Sequence, residues 1–180
     1  MLKNTNVNYG LVARFFHWGM ALLFFGMFPL GYIMESLSDS DFKFSLFDLH
    51  KATGLCLFSL VALRLFWRFI SAQPGLPRTV PLWQRRAASW NIILLYVFMV
   101  VMPISGFLTS TLGGHKITFY SLFTISPIAQ DKGASEFFAG VHGWVSYVMI
   151  AAFVLHLLGA LYHHYLLKDN VLKRIVINVS

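Results

Sequence analysis

Charge is scarce in this chain: only 12% of its 180 residues are Asp, Glu, Lys or Arg, while 57% are hydrophobic. Soluble domains carry about 25% charged residues, so the composition excludes an ordinary soluble globule and points to an integral membrane protein. Cysteine is nearly absent. Cys56 is alone, which excludes an intrachain disulfide framework, and its place inside an apolar run reads as packing. No low-complexity tract, internal repeat or long soluble region is present. The longest apolar run, residues 137–167, holds no Asp, Glu, Lys or Arg at all.

What that run does hold is histidine: His142, His156, His163 and His164. Its 31 residues exceed the ~20 that cross a bilayer as a helix. Three more apolar runs precede it, at about 11–34, 46–70 and 87–110, with outer loops at 35–45 and 111–136. The fold class expected is therefore an all-α integral membrane protein, a four-helix transmembrane bundle forming one membrane domain over 1–180. The second run has a short uncharged centre, Ala52 to Leu63, and spans only if Lys51, Arg64 and Arg68 reach the interfaces or find anionic partners. The first run is longer than a signal-peptide core, although Ser36-Leu37-Ser38 resembles a cleavage site. The 111–136 connection carries enough apolar residues to be an interfacial helix or to rest on the bilayer.

Basic residues set the orientation. Ten of the fourteen Lys and Arg fall in the N-terminus, the 64–86 region and the tail, Arg78 among them, with Asp169 as the one acid there. The 35–51 and 111–136 segments hold four lysines (Lys43, Lys51, Lys116, Lys132) and six acids. By the positive-inside rule both termini face the cytoplasm. The net charge of +7 is thereby a topology signal, and no nucleic-acid partner is implied.

With this topology the histidines fall on two levels. His17 lies near the cytoplasmic end of the first span and His156 deep in the fourth, so they share one level; His50 and His142 share the other, near the periplasm. His142 and His156 are fourteen residues apart, about four turns and ~21 Å along the axis, so both point the same way. Burying an imidazole in a membrane is expensive, and depth-matched pairs are what ligation requires. A closed zinc site needs four ligands, often thiolate or carboxylate, and each level supplies two imidazoles. Two trans imidazoles suit a six-coordinate haem with no open iron position, which favours electron transfer. No C-x-x-C-H occurs, so two non-covalent haem b groups are expected. Arg14, one turn from His17, and Arg64 and Arg68 are placed to meet propionates or to anchor the cytoplasmic ends. His163 and His164 have no histidine partner at their level and read as interfacial polar residues, with a proton-exchange or quinone-site role as the alternative.

The motifs together resemble the bacterial dihaem cytochrome b-561 family over essentially the whole chain. They are Arg14-x-x-His17-Trp18, His50-Lys51-x-x-Gly54, Arg64-Leu65-x-x-Arg68, Met102-Pro103-x-Ser105-Gly106, and His142 and His156 with the ending His163-His164-x5-Asp169-x-x-Leu172-x-Arg174. The resemblance implies a multi-pass protein of the bacterial inner membrane that exchanges electrons with ubiquinone or menaquinone. It also implies a quinone-linked oxidoreductase with superoxide, or another small periplasmic donor, as reductant. Steering an anion needs positive potential, yet the outer segments sum to −2; Lys51, adjacent to His50, is the residue expected to supply it. The alternative is a membrane-anchor cytochrome b subunit that relays electrons from a partner dehydrogenase or hydrogenase. A histidine-lined metal transporter would need an intramembrane carboxylate and a polar path, and the spans show neither.

Overall fold

Among the described residues, two of the long helices begin at side-chain caps rather than where their apolar runs start. The Ser40 hydroxyl accepts from the Lys43 amide at 3.2 Å, and Asp41 sits in the first turn, where a carboxylate meets the positive end of the helix dipole. The Asp131 carboxylate likewise accepts from the Ala134 amide at 3.0 Å. The computed structural model describes residues 1–77 and 80–177; Arg78, counted above among the basic residues, and the end of the tail lie outside the described residues. The long helices are α1 (Leu11–Ser36), α2 (Asp41–Ile70), α3 (Leu82–Leu112) and α4 (Lys132–Leu161), each long and apolar enough to cross a membrane. A single π turn, Tyr162–Leu166, and a short α5, Lys173–Val176, follow.

Two sequence expectations need correction. Helix α2 begins at Asp41, inside the expected 35–45 loop, and α3 begins at Leu82, so Arg85 and Arg86 belong to its first turns. The caps at Ser40 and Asp131 carry α2 and α4 past their apolar runs, Lys132 falling inside the expected 111–136 loop, while α3 starts after Pro81 with no side-chain cap. The 111–136 connection holds no interfacial helix. It forms an antiparallel hairpin of β1 (Ile117–Phe119) and β2 (Phe123–Ile125), paired Ile117 with Ile125 and Phe119 with Phe123. Ile117 is buried, and β1 packs on α2.

Helix α4 lies along α3, α1 lies along α2, and α2 joins the pairs through α3. The innermost side chains are Met20 and Phe24 of α1, Leu57 and Val61 of α2, and Met149 of α4, which form one buried cluster. Met149 is seven residues from both His142 and His156. The cluster is thus an apolar layer midway between the two histidine levels.

On the face that carries the termini, Arg174 ties three segments together. Its Nε donates to the Val7 carbonyl and its Nη1 to the Gly75 carbonyl at 2.8 Å. The Trp18 indole donates to the Ile175 carbonyl at 3.2 Å, fixing α1 to α5. Nearby, the His163 Nδ1 meets the Asp169 carboxylate at 2.5 Å, and that carboxylate accepts from the Val171 amide at 2.9 Å. This clasp turns the chain back after α4. Arg174 is only 7% exposed, so Arg174→Met strands two carbonyls that had a charged donor, at a cost of about 2–3 kcal/mol. Thermal unfolding of the detergent-solubilised protein is expected to show the loss as a lowered midpoint, whereas the exposed Lys173→Met leaves it in place.

Candidate cofactor site

The helices bring the four span histidines together in two pairs. His17 of α1 faces His156 of α4 with ring centres 6.2 Å apart and planes at 58°. His50 of α2 faces His142 of α4, also at 6.2 Å, with planes at 77°. An imidazole nitrogen sits about 2 Å from a bound transition metal; adding roughly 1 Å from nitrogen to ring centre on each side, two trans imidazoles on one metal have centres about 6 Å apart. Both pairs meet that condition. Among the described residues no group of three or more His, Cys, Asp or Glu surrounds a point, so neither pair extends into a closed zinc site. The His50 Nδ1 is buried without a hydrogen-bond partner, a cost that an imidazole in a helix bundle bears only when something else binds it. The donor set therefore fits haem with two axial imidazoles at each level.

The ligand candidates differ in what stands behind them. His142 Nδ1 lies 3.0 Å from the Met102 carbonyl oxygen and 3.2 Å from the Ser105 hydroxyl. A carbonyl can only accept, so Nδ1 carries the proton and Nε2 is left free to bind. Gly106 makes this approach possible: a Cβ there would stand 3.0 Å from the His142 ring. Behind His17 stands Arg64 instead, its Nη2 3.4 Å from His17 Nδ1 and its Nε donating to the Tyr96 hydroxyl at 3.1 Å. Arg68 lies over the same Tyr96 ring, 5.1 Å from its centre, and donates to Gln73 at 2.7 Å. Arg14 is half-buried one turn before His17. Tyr9, just ahead of α1, has its phenol pushed above the ordinary range by burial, against the lowering pull of Arg68, Arg174 and Arg64. It remains a neutral donor near the charged cluster.

On the opposite face the hairpin covers the helix that carries His50. Tyr120 and Ser121 at its tip have φ of 42° and 62°, left-handed values that favour Asn or Gly. The Tyr120 hydroxyl is 2.8 Å from the Thr53 hydroxyl, three residues beyond His50. Lys51 donates to the Lys116 carbonyl at 3.2 Å and pairs with Asp48 at 2.8 Å. Its ammonium is therefore partly neutralised. Lys43 pairs with Asp39 and Lys132 with Glu136, so among the described residues Lys116 is the one outer lysine outside an ion pair. Asp48, Leu49, Ala52 and Lys116 line a shallow cavity of about 260 Å³ with the hairpin residues Thr118, Tyr120 and Ser121.

Sequence reasoning did not foresee the contacts of Ser105, Gly106, Tyr96 or Tyr120. The Met102-Pro103-x-Ser105-Gly106 motif was visible, but nothing in it says that its glycine meets a histidine 36 residues away. Gly19, Gly140 and Gly143, small residues near the paired histidines in sequence, look onto open space and Gly54 onto Met27.

The family model described as prokaryotic cytochrome b561 matches residues 8–177. The chain is 37% identical to cytochrome b561 homolog 2 of Escherichia coli K12 over 176 residues, which cover 96% of this chain and 93% of that protein. It is 29% identical to cytochrome b561 homolog 1 of the same organism over 133 residues, 72% of this chain and 73% of that protein.

Gly106 offers a direct check on the geometry. Gly106→Val drives a branched side chain into the space that the His142 ring occupies, and the expected result is loss or weakened binding of haem at the hairpin-face level alone. Haem content and the visible spectrum of the purified variant measure this; Gly140→Val, with nothing near its added Cβ, is expected to leave both unchanged.

Proposed function

The chain belongs to the prokaryotic cytochrome b561 family and is a transmembrane b-type haem electron-transfer protein; from that premise we propose that it carries two haems b and moves electrons from a small donor on the hairpin face to quinone. His17 and His156 hold one haem, and His50 and His142 the other. The observation that carries this is the pair of equal 6.2 Å imidazole separations, one at each level. When bound, haem would supply one-electron chemistry, held at each level by the two facing imidazoles.

The protein's residues give that chemistry its direction and insulation. The layer of Met20, Phe24, Leu57, Val61 and Met149 keeps water out between the levels. Arg14, Arg64 and Arg68 serve as propionate partners: Arg64 commits Nε to Tyr96 and lies with Nη2 3.4 Å from His17 Nδ1, and its other N–H groups are available to a carboxylate. The termini face the cytoplasm of a bacterial inner membrane, because the basic residues gather there. Ubiquinone or menaquinone takes electrons at that end.

Superoxide is the donor favoured on the periplasmic face. Two superoxide anions each lose one electron and leave as dioxygen, while one quinone takes two electrons and two protons to become quinol. Lys116 is the outer cation with no carboxylate on it, and Lys51 joins it through the Lys116 carbonyl. Together they give a local positive spot on a face whose net charge is negative. The anchor-subunit reading has less in its favour, since the segment joining α2 to α3 is short and offers little docking surface.

His142→Ala is expected to abolish haem binding at the hairpin face and His156→Ala at the terminus face, each variant keeping one haem per chain; two haems in either contradicts the pairing. Superoxide mixed with purified protein and a quinone analogue is expected to reduce haem and yield quinol. In Lys51→Glu/Lys116→Glu the rate of haem reduction by superoxide is expected to fall at least tenfold at low ionic strength, with less difference in high salt. No reduction by superoxide in the unaltered protein removes superoxide as donor and leaves the two-haem reading intact.

A further inference from the structure

Charge behind the ligands is unequal at the two levels. At the terminus-face level a guanidinium stands against His17, with Arg64 Nη2 3.4 Å from Nδ1. That group has only donors and carries a positive charge. Tyr96 holds it in place, through the Nε contact at 3.1 Å and the ring face 5.7 Å from the guanidinium carbon. At the hairpin-face level, His142 Nδ1 instead meets two oxygens, the Met102 carbonyl and the Ser105 hydroxyl. The nearest cation in sequence, Lys51, is paired with Asp48, and His50 Nδ1 has no polar partner.

We infer that this asymmetry sets the two haem levels at different potentials, with Arg64 as the positioning residue that raises the terminus-face level above the hairpin-face level. The inference rests on the ligation proposed above. A fixed cation beside an axial imidazole opposes the extra positive charge of ferric iron and so favours the ferrous state. An acceptor at Nδ1 does the reverse: it draws the N–H proton, makes the imidazole a more basic ligand and favours the ferric state. Both effects push the same way, so an electron placed at the hairpin face runs downhill toward the termini. No moving part is needed, because the bias is built into two side-chain environments ~21 Å apart along α4.

The test is a spectroelectrochemical titration of the purified protein with both haems bound. Two one-electron steps are expected, separated by at least tenfold in ferric-to-ferrous ratio, which is about 59 mV for one electron. The higher step is expected to vanish in His156→Ala and the lower in His142→Ala. Arg64→Met is expected to bring the higher step down by about tenfold and leave the lower in place, while Arg64→Lys, which keeps the charge, restores most of the difference. If Arg64→Met does not take up haem at the terminus face, Tyr96→Phe is read instead: it retains the charge but releases Nε, and the higher step alone must fall. A single unsplit step, a higher step that belongs to the hairpin face, or an Arg64 variant that moves both steps equally or neither overturns the inference. Two bound haems with bis-imidazole spectra and no split count against this inference alone. One bound haem in the unaltered protein counts against the ligation itself.

Discussion

An imidazole inside a membrane needs a partner, and this fold is arranged so that each of four finds one across the bundle. Two on one helix, His142 and His156, supply the vertical axis; the other two arrive from different helices at matching heights. The requirement constrains much of what surrounds them. Helix α4 packs chiefly on α3, leaving its histidine face toward α1 and α2. A buried apolar cluster that includes Met149 fills the middle between the two histidine levels. Gly106 is small because the His142 ring presses on it.

The two faces of the bundle hold their histidine levels by different means. At the termini the fastening is by side-chain hydrogen bonds: Arg174 joins residues far apart in the chain, and His163 clasps Asp169. At the other face a small hairpin does the work, reaching α2 through Tyr120 and Thr53. Its left-handed tip without glycine costs of order 1–3 kcal/mol per residue, a strain that the buried Ile117 and the Tyr120 contact offset. Basic residues crowd the first face, and ion pairs neutralise most of those on the second.

Much of this was legible in the chain. Spans appear as apolar runs because lipid tolerates little else, and the histidine levels follow from helical rise and a charge-based orientation. Helix ends were less legible, since Ser40 and Asp131 cap helices whose first turns are polar. The hairpin left a trace that was passed over: Ile117-Thr118-Phe119 and Phe123-Thr124-Ile125 alternate with the period of a strand, and a helix was considered there only because of apolar content. What stands behind each ligand was not legible at all. Ser105 and Gly106 meet His142 because α3 and α4 are neighbours, and Arg64 turns to His17 because Tyr96 holds it. Those are facts of packing, and spacing along a single chain does not carry them.

The account stands or falls on the number and kind of haems in the unaltered protein. Haem-to-protein stoichiometry, taken together with electron paramagnetic resonance of the oxidised form, measures both at once. The account predicts two haems b per chain, each low-spin with two imidazole ligands. One haem per chain, or a high-spin or mixed-ligand signal from either iron, would contradict it.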